Sequence, residues 1–479
     1  MKLDNKGDEA KSDGDKLNSK YLTDAQDVKA KLDAVSPSFC LAKWQQVSLH
    51  LTTGMNNSCY HPPLHPIPKD LMAQDPSILH NTPHKKTQRI AMLNGHRPKE
   101  CDYCWAIEDA GNISDRQYRS GEPWALRDYD DIKNMQGDEN VIPRYVEVNF
   151  SHLCNLACSY CSPQFSSTWM TQAEQQGAYP TEPPHNDAGY FVGNRKPIPI
   201  KESNPFVDAF WRWWPELYPQ LTHFRMTGGE PLLDHNTYRV FDYVLEHPRS
   251  DLHLCVTSNF SVDEHSWQRY KGYLQTLCQE GQLEHFMQFV SLDSWGDQAQ
   301  YIRHGLNFDL LWDRVNQFLT DIPSRNSITF IVTMNNLSVS GLEKLFAGIL
   351  GLRKAYSDTY QRIWFDTPVL RQPAWQSLQI LPESYVDQLE LLWAWMLRQT
   401  ETPETRFQGF KDYEIARLDR DIAWMRDGQR MPEQQRHRHM ADFYRFFSEH
   451  DRRRGTDFLA TFPEMRTWWQ ECEYYARKI

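Results

Sequence analysis

Cys154, Cys158 and Cys161 lie in the run Ser-His-Leu-Cys-Asn-Leu-Ala-Cys-Ser-Tyr-Cys, which puts three thiols at x3 and x2 spacing. Three thiolates on one loop can ligate three irons of a cubane [4Fe–4S] cluster. The fourth iron is then left open to a substrate, whereas four protein ligands suit electron transfer or structure. Zinc is the other reading; it usually takes four ligands, and no fourth sits at short spacing, although His152 is close. An aromatic residue, Tyr160, stands directly before the third cysteine.

A second group comprises Cys40, Cys59, Cys101 and Cys104, of which Cys101-Asp-Tyr-Cys104 is a ligand-type C-x2-C pair. Four cysteines can fully ligate either zinc or a second [4Fe–4S] cluster, and spacing does not separate the two. His61 and His65 lie near Cys59 and could serve zinc, but the flanking Pro62, Pro63, Pro66 and Pro68 read as an ordinary loop. The other three of the ten cysteines, Cys255, Cys278 and Cys472, read as core or surface thiols.

Further along, Met226-Thr227-Gly228-Gly229-Glu230-Pro231 follows a β-rich run. Two glycines let a backbone approach a ligand closely, and the turn adds carbonyls and a carboxylate. Ser258 and Asn259, Ser291 and Asp293, Arg303 and Thr333 stand at or after the ends of later runs. Taken singly, each also fits turn capping or a surface ion pair.

Together these motifs resemble the radical S-adenosylmethionine (SAM) superfamily, whose loop reads C-x3-C-x2-C with an aromatic before the last cysteine and whose Gly-Gly-Glu-Pro motif contacts the SAM amino group. The resemblance implies a [4Fe–4S] cluster on Cys154, Cys158 and Cys161, with Tyr160 beside it and Gly228, Gly229 and Glu230 at the SAM methionine. It places Ser258 and Asn259 at the ribose or carboxylate, Ser291 and Asp293 at the ribose or substrate, Arg303 at the SAM carboxylate, and Thr333 near the adenine. The implied reaction is reductive cleavage of SAM to a 5′-deoxyadenosyl radical, which abstracts hydrogen from a substrate. An electron donor such as flavodoxin or ferredoxin is implied with it.

The stretch Phe39-Cys40 with Trp44, then Cys59, then Cys101-x2-Cys104-Trp105 and Glu108, resembles the auxiliary-cluster module of twitch domain-containing radical SAM proteins, here standing before the barrel. It departs from that family's usual Pro-Trp at Lys43-Trp44 and from its cysteine pair at Ser58-Cys59. The resemblance, which runs from about Phe39 to Thr367, implies a second [4Fe–4S] cluster on Cys40, Cys59, Cys101 and Cys104 that relays an electron.

The elements that must position these residues are written in the periodicity. Strand-like runs at Tyr145–Phe150, Leu221–Met226, Leu252–Ser258, Phe286–Leu292, Ile328–Thr333 and Arg362–Phe365 alternate with amphipathic stretches near Asp234–Glu246, Glu264–Cys278, Asp309–Ile322 and Leu342–Tyr356. This alternation predicts an α/β fold with a parallel sheet. Six such units fall short of a closed eightfold barrel and suit the partial (β/α)6 radical SAM barrel, with the chemistry at the C-terminal strand ends. The expected organisation is a disordered or weakly ordered segment over 1–36, a twitch-like module over 37–140, the barrel over 141–370 with a Pro- and Gly-rich insertion over 176–205, and a helical C-terminal extension over 371–479.

The 479 residues carry a net charge of −11, which argues against a broad nucleic-acid-binding surface. The basic run Arg452-Arg453-Arg454 reads as a solvated helix end. No apolar run is long enough to span a bilayer and the start lacks a signal-peptide core, so a cytoplasmic location is expected. The leading reading is an oxidative radical SAM enzyme acting on a peptide, sugar or small metabolite. The alternatives are a non-oxidative radical SAM epimerase or group-transfer enzyme, and a zinc-stabilised binding protein without chemistry. The sequence assigns no catalytic acid, base or radical-relay residue.

Overall fold

The computed structural model describes residues 25–479 except 188, 190, 191, 194, 195 and 358. The chain forms two compact units, one from 1–147 with 205–224 and the other from 148–204 with 225–479. The first therefore draws on two separate stretches of chain, which a boundary drawn along the sequence does not reveal.

In the first unit, strands Gln46–His50, Met55–Asn57 and His65–Pro66 pair antiparallel, with Ser48 opposite Asn57 and Asn56 opposite His65. Gly54 takes φ +67° in the tight turn between the first two strands, and a Cβ there would meet the Phe206 ring at 2.0 Å. Helix Pro83–Leu93 starts with proline at its first turn and Thr82 as its cap. Helix Asp115–Gly121 starts with a capping box between Ser114 and Gln117. Phe39, Trp44, Trp105 and Trp124 fill the core between these helices. Helix Ala25–Val35, within the stretch read as disordered or weakly ordered, buries Val28 and Leu32 in that core. The rest of that expectation, residues 1–24, lies outside the described residues.

The second unit is mixed α/β with a parallel sheet. Strands Arg249–Ser258, Leu283–Ser291, Ser327–Ile331 and Ile363–Asp366 run parallel, with Ser258 opposite Val290, Ser291 opposite Ile331, and Phe330 opposite Phe365. Parallel neighbours require crossovers, supplied here by helices Glu264–Leu277, Phe308–Asp321 and Leu342–Tyr356. Burial along Leu283–Ser291 alternates: Phe286, Gln288 and Val290 are covered and their neighbours are half-exposed. Phe286 meets Phe318 of one helix and Gln288 meets Tyr270 of another, which fixes the covered face. Strands Tyr145–Asn149 and His223–Thr227 each begin in the first unit and end in the second. The strand expected from Leu252 starts earlier, at Arg249. Polar Arg249, Ser250 and Asp251 hide it from the apolar pattern, and the pairing register shifts between Arg249 and His253.

Helices Ser384–Arg398, Asp412–Gly428, Glu433–Arg454 and Arg466–Lys478 form the C-terminal part, and Arg353 and Glu414 make a fully buried ion pair between it and the sheet helices. Among the described residues no helix is long and apolar enough to cross a membrane. The basic run at 452–454 differs from its expected solvated state. Arg452 is exposed on Glu449, but Arg453 donates to the Gly177 and Ala178 carbonyls at 2.9 Å, and Arg454 donates to the Ala157 carbonyl at 3.2 Å. Gly177 and Ala178 follow the last turn of helix Ser167–Gln176, where carbonyls run out of intrahelical partners, whereas Ala157 lies in a short paired strand.

Candidate active site

The loop that carries the first three cysteines is tied down at each thiol. A short strand, Ala157–Cys158, pairs antiparallel with Arg303–His304, which sets Cys158 opposite Arg303. Trp169 Nε1 donates to the Cys158 carbonyl at 2.9 Å, and Thr168 Oγ1 donates to the Cys154 carbonyl at 2.7 Å. The Cys154 N–H donates to Ser167 Oγ at 3.1 Å. These donors and acceptors sit at the N-terminal turn of helix Ser167–Gln176. The cysteines are free thiols. Burial raises all three above the ordinary thiol range: Cys154 strongly, with Cys158 as a second cause, and Cys161 to about 12. Burial also raises Cys158, and the Arg303 guanidinium pulls it back. Loading a metal on such thiols must displace their protons.

The Gly-Gly-Glu turn packs directly on this loop. The Gly229 N–H donates to Ser151 O at 3.3 Å and the Glu230 N–H to Leu153 O at 2.6 Å. A Cβ on Gly229 would stand 2.2 Å from Leu153 O, and one on Gly228, at φ +120°, would stand 2.4 Å from Asn149 Oδ1. The Glu230 carboxylate accepts from the Asn259 N–H at 2.8 Å and the Leu232 N–H at 3.1 Å, so it joins two strand ends. Burial pushes its carboxyl up to about 7 against those hydrogen bonds and one from Ser258. Asn259 Nδ2 continues the network to Asn155 Oδ1 at 3.0 Å.

Asp293, fully buried, holds the other side. It takes a two-point contact from Arg303, with Nη2 and Nε each at 2.9 Å. Its oxygens also accept from the Tyr160 hydroxyl at 2.7 Å and the Thr333 N–H at 2.9 Å. Arg303 Nη1 lies 3.7 Å from Cys158 Sγ. The guanidinium expected at a SAM carboxylate is thus already paired, because a buried arginine needs a counter-charge. Ser291 is half-buried two residues before Asp293, at the end of its strand and opposite Ile331 in the parallel pair.

A cluster of this kind fits the donors present. Cys154, Cys158 and Cys161 would hold it, and the glycines at 228–229 let their turn pack closely against Asn149 and Leu153. Asn149 is 2 % exposed, yet neither its Oδ1 nor its Nδ2 has a partner. Buried carboxamides are ordinarily satisfied. His152, the neighbour considered for zinc, is buried with Nδ1 unpartnered. Among the described residues no group of three or more His, Cys, Asp or Glu side chains could hold a single metal ion as placed. A four-iron cluster asks something different, one thiolate for each iron.

The second group lies within the first unit. Cys40, Cys59, Cys101 and Cys104 line one cavity together with Lys43, Arg116 and Arg119. Lys43 is 2 % exposed. Burial works against its charge, but Cys101 and Glu100 outweigh that and raise its pKa. Burial pushes the thiols up, Cys59 to about 11 and Cys101 to about 12. Arg116 is clamped by Glu108, with Nε and Nη2 each at 2.8 Å from it, and donates to the Phe39 carbonyl at 2.8 Å. The histidines weighed as zinc ligands are otherwise engaged. His65 Nε2 meets Thr82 Oγ1 at 2.9 Å, and His61 stacks on Tyr103 at 3.8 Å with Nε2 on Asp115 at 2.5 Å.

No protein-family model matches the chain, and no curated protein matches it significantly in sequence. Solved structures of SuiB are among those that align with it. Streptococcus suis SuiB bound to S-adenosylmethionine is 12 % identical over 64 % of this chain and 62 % of its own, with a TM-score of 0.35. A second structure of SuiB is 12 % identical over 64 % and 61 %, with a TM-score of 0.34. This chain thus spans less than two thirds of the SuiB chains.

Sequence reasoning singled out neither Asn149 nor Lys43 for a role at these sites. Asn149 closes the first strand of the sheet, one step before the cysteine loop, so its position was a usable signal. Lys43 had only its proximity to Cys40 to mark it.

Proposed function

We propose that this protein is a radical SAM iron–sulfur enzyme built on a partial (β/α)6 barrel, with a twitch-like auxiliary module before it. The observation that carries the reading is the packing of Gly228-Gly229-Glu230 onto the Cys154–Cys161 loop through Glu230 N–H and Leu153 O at 2.6 Å. A ligand-contacting turn and a three-thiol loop from different parts of the chain face one another. Bound there, a [4Fe–4S] cluster and SAM supply a one-electron cleavage of a C–S bond and a carbon radical able to abstract hydrogen.

The chain's own residues prepare that chemistry. Cys154, Cys158 and Cys161 hold three irons, and Arg303 places a fixed positive charge at Cys158. Asp293 holds Arg303 and Tyr160 in place and makes Tyr160 a wall of the site. Gly228 and Gly229 let the turn press against the cysteine loop, and Asn149 keeps an unused donor and acceptor beside it. Glu230, Ser258 and Asn259 brace two strand ends, with Ser291 and Thr333 along the neighbouring ones. In the first unit, Cys40, Cys59, Cys101 and Cys104 hold a second [4Fe–4S] cluster, with Lys43, Arg116 and Arg119 around it. Cations beside a cluster favour its reduced form, which suits an electron acceptor and an overall oxidation. The electron donor is a flavodoxin or ferredoxin.

Anaerobic reconstitution tests the reading. About eight irons per chain are expected, falling to about four in Cys101→Ala and in Cys154→Ala. Reductant and SAM should yield 5′-deoxyadenosine with wild type and Cys101→Ala but not with Cys154→Ala. A colourless protein carrying stoichiometric zinc overturns the proposal.

A further inference from the structure

The second unit contains an open cleft, about 1320 Å³ of empty volume, that begins at Tyr160 and Cys161 and runs under Trp375. One wall is the turn around 179–187, and it is held firmly. The Tyr179 N–H donates to His185 O at 2.9 Å, the His185 N–H to Thr181 Oγ1 at 2.9 Å, and the Glu182 N–H to Asp442 Oδ1 at 2.9 Å.

Asn186 stands in that wall. It is 2 % exposed and sits at φ +57°, in the left-handed region that asparagine tolerates better than most side-chain-bearing residues. Neither Oδ1 nor Nδ2 has a hydrogen-bond partner. His185 Nε2, beside it, is also buried and unpartnered. An unsatisfied carboxamide in a well-braced turn is a cost that is recovered when a ligand supplies a matching donor and acceptor. The charge of the cleft narrows the ligand. Among the described residues its lining includes Glu182, Asp187 and Asp442 and no lysine or arginine. Asp442 is already met by Arg445 at 3.3 Å and Asp187 accepts from the Gly189 N–H at 2.8 Å, so the acidic groups are braces; an anionic ligand would find no positive partner among them.

We infer that this cleft is a binding site for an amide-bearing compound that is neutral or cationic, with the Asn186 carboxamide pairing acceptor and donor to the ligand's amide. Calling the ligand the substrate rests on the proposed function; its binding does not. An amide could come from a peptide-type group or from a free carboxamide, and both carry the same donor and acceptor.

The test is ligand-observed NMR titration of the full chain with four probes: Nα-acetyl-lysine N-methylamide, Nα-acetyl-glutamate N-methylamide, 1,5-diaminopentane and nicotinamide. The lysine probe should bind at least tenfold tighter than the glutamate probe. The amide-free diamine should not bind. Nicotinamide binding tighter than the lysine probe supports the site and assigns the amide to a free carboxamide; the reverse order assigns it to a peptide-type group. Asn186→Gly provides the decisive variant, because glycine adopts positive φ freely. Its melting temperature should be unchanged or higher, while affinity for the bound amides falls at least tenfold. Wild-type affinity in Asn186→Gly, or a glutamate probe as tight as the lysine one, overturns the inference. Iron content measured on the same samples separates the two proposals: amide binding without iron sinks only the proposed function, and iron without amide binding sinks only the cleft.

Discussion

Replacing Gly229 with alanine puts the assembly of the cysteine loop to a quantitative test. The added methyl would lie 2.2 Å from Leu153 O, 2.7 Å from Leu153 C and 2.8 Å from His152 C. All three are backbone atoms, so no side chain can swing aside. Relieving the clash separates the turn from the loop and breaks the Gly229–Ser151 and Glu230–Leu153 hydrogen bonds, now 3.3 and 2.6 Å. Overpacking costs about 1–3 kcal/mol and each lost backbone bond about 1 kcal/mol, so the contact should weaken by roughly 3–5 kcal/mol. That corresponds to about a 10²- to 5 × 10³-fold larger open population. Hydrogen–deuterium exchange of peptides over 151–161 reads it directly, and iron content after reconstitution should fall with it. Gly272→Ala is the control. Gly272 lies in helix Glu264–Leu277 with nothing within 4 Å of an added Cβ, and alanine there should stabilise by about 0.5–1 kcal/mol. Unchanged protection and full iron loading in Gly229→Ala would refute the view that this turn holds the loop.

Asp421 is buried, and burial pushes its carboxyl up to about 7 from an ordinary 3.8. Because the folded pKa is the higher one, the group favours folding at low pH, and stability is lost as pH rises from about 4 through 7. Asp421→Asn should therefore flatten the pH dependence of stability over that window and raise the melting temperature at pH 8, by at most about 4 kcal/mol equivalent; a lower melting temperature there would refute the assignment. The Arg353–Glu414 pair is 0 % exposed on both sides. Arg353→Met strands a buried carboxylate and should cost about 3–5 kcal/mol in chemical denaturation, while Arg353→Met with Glu414→Leu should recover most of it. Additive losses in the double variant would show that the two charges act independently.

The chemistry-bearing motifs were legible because their information is local. Cys154, Cys158 and Cys161 are set by spacing within one loop, and Gly228-Gly229 by the absence of side chains. The six strands were legible as short β-rich runs, the first of them alternating apolar and polar residues, except where polar Arg249–Asp251 open the third. The C-terminal helices were equally legible in their spacing.

Partnerships were not legible, since packing chooses among many chemically equivalent candidates. Sequence did not show that Arg303 meets the Asp293 carboxylate and lies beside Cys158. It offered Arg453 and Arg454 to solvent; carbonyls at 157, 177 and 178 accept from them instead. It could not set Asn149 against Gly228, gather Lys43 with four thiols, or leave Asn186 without a partner. The wall that holds Asn186 depends on a bond between Glu182 and Asp442, 260 residues apart. Ligand spacing and periodicity act over a few residues and are written in the chain itself. Which buried charge meets which counter-charge, and which buried amide stays unmet, is decided only when distant segments exclude water together.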